Sequence, residues 1–296
     1  MATMFKRALA ALPRLGVQIL ELGPGAAVVS RRGGYTATKV STDAWMIGGK
    51  RSDTSADGWG LHKTTSSSLC ARHVADLLAN YEVNCVFDVG ANKGQYGKQL
   101  REFGYRGRIV SFEPVPEALD RLRKVAQRDP DWLVYPCALG RDESVESMFL
   151  GWKTMNSLLG PSAYGQKRYK RFANTTQTTQ VQLRRLDEVL DHALEGLANP
   201  RPYLKMDTQG FDMEVFAGAG RRIDEFVGMQ SEVAPLRLYE GSPHMTEAIA
   251  AYEDAGFEIT GMYPVTREQS TGRVVEFDCI LARAASVPTP LPASRV

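Results

Sequence analysis

No cysteine in this sequence stands in a CxxC pair. The four that exist, Cys70, Cys85, Cys137 and Cys279, are spaced too widely for a zinc ribbon or finger. Three of them sit in apolar runs and read as buried thiols, which suits a reducing, cytoplasmic compartment. No run of about twenty apolar residues exists, so no segment is expected to span a membrane. Strong charge of one sign is missing too: the formal net charge is +2, too little to argue for nucleic acid as a partner.

What is present is an average globular composition, 43% hydrophobic and 24% charged over 296 residues. That length allows one large α/β domain with an extension. The N-terminus "MFKRALAALPRLGVQILELGPG" has a basic start, but Pro13, Arg14 and Glu21 interrupt its apolar run, so it does not read as an export signal. It reads as a helical arm on the domain or as an interfacial amphipathic segment in peripheral contact with a membrane. Residues 1–66 are rich in Gly, Ser, Thr and basic side chains and are expected to form an irregular extension. Residues 67–285 form the main domain. The Pro-rich stretch 286–296 reads as a loose tail.

Within the main domain, helices and strands alternate. "SSLCARHVADLLANY" has helical spacing, with Leu69, Val74, Leu77 and Leu78 on one face. "CVFDV", "RIVSFE", "WLVYPCAL", "RPYLKMD" and "FVGMQSEV" read as core strands with helices between them. "SVESMFL" and "TTQVQLRRL" alternate like exposed antiparallel strands. "FEITGMYPV" and "RVVEFDCILAR" have no helix between them and read as an edge hairpin. The expected fold is a mostly parallel α/β sheet covered on both faces, with a C-terminal antiparallel hairpin.

In such a sheet, ligands bind where the strand order reverses, beyond the carboxyl ends of the strands. The first core strand runs into "FDVGANKGQYG", residues 87–97. A phosphate-binding loop would need Lys-Ser/Thr after the second glycine, but Gln95 and Tyr96 follow Gly94. A dinucleotide turn would be GxGxxG, whereas here the glycines are Gly90, Gly94 and Gly97. S-adenosylmethionine (SAM) has no phosphate, carries positive charge and presents two ribose hydroxyls. Asp88 could accept from its amino group, and Glu113, at the end of the next strand, could take the hydroxyls. The expected cofactor residues are Asp88, Gly90, Ala91, Asn92, Gly94 and Glu113, with Ala138 beside the third strand. The alternative for the turn is a tight bend with a capping acid.

Five blocks, "VFDVGANKGQYG", "VSFEPVPEAL", "PCALG", "MNSLL" and "LKMDTQGFDMEVFAGA", together resemble the FkbM family of SAM-dependent methyltransferases over about residues 70–283. The resemblance implies a class I methyltransferase fold, Rossmann-like and seven-stranded with its last strand antiparallel. It also implies O-methylation of sugar hydroxyls or hydroxylated natural products. The family pattern L-K-I-D-x-E-G-x-E carries an acid where this chain has Gln209, which puts any role of that acid in doubt here.

A hydroxyl needs a base or a metal to take its proton. Asp207, ending the fourth core strand, is the first candidate as catalytic or substrate-positioning carboxylate; the alternative is a helix cap. Glu232, ending the fifth, could orient the hydroxyl, share Mg2+ with Asp207, or form an ion pair with Arg237. His244 is the runner-up base. The long segment 151–180 could close over the acceptor, with Asn156 and Ser157 bonding hydroxyls and Trp152 or Tyr164 stacking on a sugar. The basic stretch 167–171 suits a glycolipid or membrane surface, or a solvated face. Two rivals are a nicotinamide-dependent oxidoreductase and a catalytically silent nucleoside-binding protein.

Overall fold

The structure is a computed structural model, and it describes residues 17–23, 26–31, 35–39, 45–49, 59–151, 155–169 and 177–288. Trp152, the start of the N-terminal arm, residues 170 and 171 of the basic stretch and most of the tail lie outside the described residues. The chain divides into two compact units, 1–67 and 68–296.

In the first unit the stretch expected to be irregular contains two antiparallel hairpins. β1 (Val17–Gly23) pairs with β2 (Ala26–Arg31), and β3 (Tyr35–Lys39) pairs with β4 (Trp45–Gly49).

Helix α1 (Trp59–Asn80) leads into the second unit. Cys70, Val74, Leu77 and Leu78 are its buried stripe. Leu69, expected on that face, is 56% exposed, because one residue is a rotation of about 100° on a helix and Cys70 takes the inward position.

The main sheet has seven strands in the order β13-β14-β12-β11-β5-β6-β7. β5 (Cys85–Val89), β6 (Arg108–Phe112), β7 (Trp132–Tyr135), β11 (Pro202–Met206) and β12 (Gly228–Val233) run parallel to one another. β13 (Glu258–Arg267) and β14 (Val274–Ala282) are the expected hairpin, and β14 pairs antiparallel with β12. This order, with antiparallel β14 inserted beside β12, is the class I methyltransferase topology. Helices α2 (Gln95–Glu102) and α3 (Pro116–Ala126) connect the first three of these strands in sequence.

The third expected strand breaks in two. β7 ends at Tyr135, and β8 (Ala138–Leu139) joins a separate three-stranded sheet with β9 (Ser144–Phe149) and β10 (Thr178–Arg184). Pro136 lies at the break; it has no N–H to donate to a ladder. β9 and β10 pair antiparallel, as their alternation predicts. A short helix, α4 (Ala163–Arg168), lies within the segment 151–180, and α5 (Leu186–Leu194) follows β10.

Two apolar cores lie on the two faces of the sheet. One gathers Phe87, Phe112, Leu204, Phe226 and Tyr252, and the other Val86, Leu100, Ile109, Leu122, Trp132 and Tyr203. Each fully buried side chain of this size contributes roughly 1.5–3 kcal/mol of transfer free energy. That burial keeps the ends of β5, β6, β11 and β12 in register, and the site is built on those ends.

Candidate active site

The cleft opens where the strand order reverses, between β5 and β11. It is lined by Gly90, Asn92, Glu113, Ala138, Asp207 and Gln209 among others. Gly90 has φ +77°, and a Cβ built on it would lie 2.1 Å from the Asp207 carbonyl oxygen. Only glycine permits the two strand ends to approach this closely. The third glycine of the turn has a different use. A Cβ on Gly97 would lie 2.3 Å from the Trp132 ring, so Gly97 seats α2 on the sheet.

Glu113, just beyond β6, is buried to 6% exposure. Its Oε2 accepts from the Asn92 N–H at 2.8 Å and its Oε1 from the Val115 N–H at 2.8 Å. Burial raises its pKa, against those two N–H bonds. The carboxyl is thus clamped at the rim of the cleft, and each oxygen keeps a lone pair for a vicinal diol.

Asp88 does not face the cleft, which corrects its expected contact with the cofactor. Strand alternation turns it with Val86 into the sheet face, and it is fully buried. Its register partners are Ser111 on β6 and Lys205 on β11. Lys205 Nζ lies 2.9 Å from Asp88 Oδ1, and Ser111 Oγ donates to Oδ2 at 3.3 Å. Asp88 supports the turn from beneath. The Lys of "LKMD" was passed over in reading the sequence, and only the pairing of β5 with β11 reveals its partner. Ala91 is likewise buried, inside the turn, while Gly94 caps α2 in the left-handed conformation.

Asp207 follows β11 and lines the cleft. Gln209 Nε2 donates to Asp207 Oδ1 at 3.0 Å and to Glu232 Oε2 at 3.2 Å. An amide therefore stands between the two carboxylates proposed for Mg2+. Among the described residues no group of three or more His, Cys, Asp or Glu is placed to hold a metal ion. Glu232 does not pair with Arg237, which bonds Glu247 instead. Burial, then the carboxylates of Glu276, Asp207 and Asp278, hold the Glu232 pKa well above the ordinary carboxylate range. Its register partner across β14 is Asp278, whose pKa burial pushes up to about 6.

Asp212 was missed by sequence reading as well. At the start of α6 (Asp212–Gly218), it accepts from Thr208 N and Oγ1, from Ser231 Oγ and from the Glu232 N–H. These bonds lash the 207–212 loop to β12 and set the spacing of the site. The "GxD" spacing after Asp207 was its only trace in the sequence.

The remaining candidates divide. Asn156 lines the cleft, with its Oδ1 accepting from the Gly151 N–H at 3.1 Å. The Ser157 hydroxyl is not free for substrate: it is 1% exposed and donates to the Gln209 carbonyl at 2.7 Å. Tyr164 bonds Glu268 at 2.7 Å. His244 is the N-cap of α7 (Met245–Asp254): its Nδ1 accepts from the Thr246 N–H, and Glu247 accepts from its own N–H at 2.6 Å. That capping role explains a histidine after Pro243, and His244 does not line the cleft.

A glycine turn, a clamped acid after β6 and a carboxylate after β11, all on this strand order, suit a nucleoside better than a phosphate. The family model described as the methyltransferase FkbM domain matches residues 88–259. The chain belongs to the FkbM methyltransferase family. It is a SAM-dependent methyltransferase, and no helix among its described residues is long and apolar enough to cross a membrane. It is 24% identical over 220 residues to the 2-O-methyltransferase NoeI of Sinorhizobium fredii (strain NBRC 101917 / NGR234), covering 69% of this chain and 84% of that one. Among solved structures it is similar to SAM-bound fibrillarin of Aeropyrum pernix, with 14% identity and a TM-score of 0.40 over 90% of this chain and 94% of that one. It is also similar to SAM-bound magnesium protoporphyrin IX methyltransferase of Synechocystis PCC 6803, with 11% identity and a TM-score of 0.42 over 78% and 86%. At that degree of likeness the methyltransferase's own strand order, not its neighbours, defines the fold.

Proposed function

We propose that this methyltransferase methylates a hydroxyl of a sugar, a glycolipid or another hydroxylated natural product. One observation carries the reading: Asp207 and Glu232, one of them with a raised pKa, stand together beside the cofactor cleft, where an acceptor hydroxyl needs a proton acceptor. The printed activity of NoeI, 2-O-methylation, is in keeping with it.

The residues present fit the cofactor. Gly90 leaves room for close approach, Glu113 presents its remaining lone pairs to the ribose hydroxyls, and Asn92 and Ala138 line the same cleft. When bound, SAM supplies an electrophilic methyl group and a neutral thioether as leaving group. Asp207 accepts a hydrogen bond from the acceptor and orients it in line with the methyl carbon. Glu232, whose pKa burial and the neighbouring carboxylates raise, is the proton acceptor. With SAM in the cleft, Glu232 would hold the proton that the hydroxyl gives up as the methyl group is transferred.

The test has two parts. Calorimetric titration with SAM is expected to show binding that weakens by tenfold or more in Glu113→Ala, the range for a hydrogen bond to a charged group. Incubation with methyl-tritiated SAM and a panel of deoxysugar glycosides is expected to transfer label to a hydroxyl, and Glu232→Gln is expected to abolish transfer while SAM still binds. Label appearing on an amine or thiol acceptor, or undiminished transfer by Glu232→Gln, would overturn the reading.

A further inference from the structure

Gln209 stands where the family pattern carries an acid, and its surroundings engage both polar atoms of its side chain and its backbone carbonyl. Nε2 donates one N–H to Asp207 Oδ1 at 3.0 Å and the other to Glu232 Oε2 at 3.2 Å. Oε1 accepts from the Tyr239 hydroxyl at 2.6 Å, and the backbone carbonyl accepts from Ser157 Oγ at 2.7 Å. The residue holds φ +55°, a conformation uncommon outside glycine, and Gly210 continues the turn at φ +87°. The amide orientation follows from its partners. Turned over, it would set its oxygen against two carboxylate oxygens.

Two carboxylates converging on one point repel unless a donor, a shared proton or a cation lies between them. Here the donor is an amide. A carboxylate at position 209 has no N–H to give, so three acids would meet at the same point, and oxygen donors of that kind suit a hard divalent cation.

We propose that Gln209 is a positioning residue whose amide holds Asp207 and Glu232 together, in the place a divalent cation would take if the residue were an acid. The proposal rests on the reading of those two carboxylates as the acceptor-facing pair. It predicts that the two acids keep their arrangement in this chain without a bound cation, and that Gln209→Glu opens a cation site on residues 207, 209 and 232.

The test is Mn2+ titration of the purified full chain at pH 7.5, read by calorimetry and by the electron paramagnetic resonance signal of free Mn2+. Gln209→Glu is expected to bind one Mn2+ at least tenfold more tightly than the unaltered chain, and the double variant Gln209→Glu/Glu232→Gln to lose that gain. Gln209→Ala, which leaves the amide's place vacant without adding a ligand, is expected to gain severalfold. If Gln209→Glu does not fold, Gln209→Ala decides alone. Equal Mn2+ affinity in the unaltered chain and the folded variants overturns the proposal, as does tight Mn2+ binding by the unaltered chain that Glu232→Gln removes. Neither result depends on SAM or on an acceptor, so failure here is distinct from failure of the methyl-transfer reading.

Discussion

Lys205 Nζ and Asp88 Oδ1 lie 2.9 Å apart between neighbouring strands, with side chains 5% and 0% exposed. Burial pulls the lysine's pKa down, but the Asp88 carboxylate, joined by Asp207, outweighs it and the net direction is up. The ammonium also reaches toward the Val89 carbonyl at 3.4 Å and lies 3.7 Å from Asp207 Oδ2. One buried cation thus ties the floor of the glycine turn to Asp207, which lines the cleft.

Removing that cation is expected to cost more than removing the pair. Lys205→Met leaves a buried carboxylate alone and is expected to destabilise the chain by about 3–5 kcal/mol. The double change Lys205→Met/Asp88→Leu is expected to recover much of that loss. Urea unfolding of the two variants checks both values.

Gly90→Ala places a methyl where the Asp207 carbonyl oxygen already lies, at a backbone angle that disfavours a side chain. The expected outcome is loss of detectable SAM binding together with a lower thermal midpoint. Gly104→Ala is the comparison: it has φ +93° but nothing within 4 Å of its added Cβ. It is expected to cost only about 1 kcal/mol and to leave SAM affinity unchanged.

Asp278 holds its proton to a higher pH in the folded chain, about 6 against an ordinary 3.8. A raised folded pKa means that its stabilising contribution is whole below about pH 4 and is lost as pH rises through about 6. Asp278→Asn removes that dependence. Between pH 4 and pH 7, the urea midpoint of the unaltered chain is expected to fall relative to that of the variant. Parallel curves would count against the assignment.

His244→Ala removes a helix cap and is expected to lower stability by about 1 kcal/mol. Because His244 stands apart from the cleft, kcat for methyl transfer is expected to stay within twofold. A kcat loss of tenfold or more, with SAM affinity unchanged, would restore His244 as a base.

The sequence by itself determined the core strands β5, β6 and β11 and their order of appearance, because burial on both faces demands the continuous apolar runs "CVFDV", "RIVSF" and "PYLKM". It also determined the glycine turn and Glu113, which are local: a strand, its end and the next residue. It misplaced what depends on pairing or on the phase of an element. Alternation turns Asp88 inward, but only the register of β5 with β6 and β11 supplies Ser111 and Lys205 as its neighbours. Gln209 showed as a departure from a pattern, yet its meaning required Asp207, Glu232, Tyr239 and Ser157, which stand 2, 23, 30 and 52 residues away. Ser157 and His244 looked free as letters and proved committed, one to a carbonyl across the cleft and one to its own helix. A hydrogen bond is decided by a distance and an angle between groups. For residues far apart in the chain, those quantities exist only once the sheet has closed.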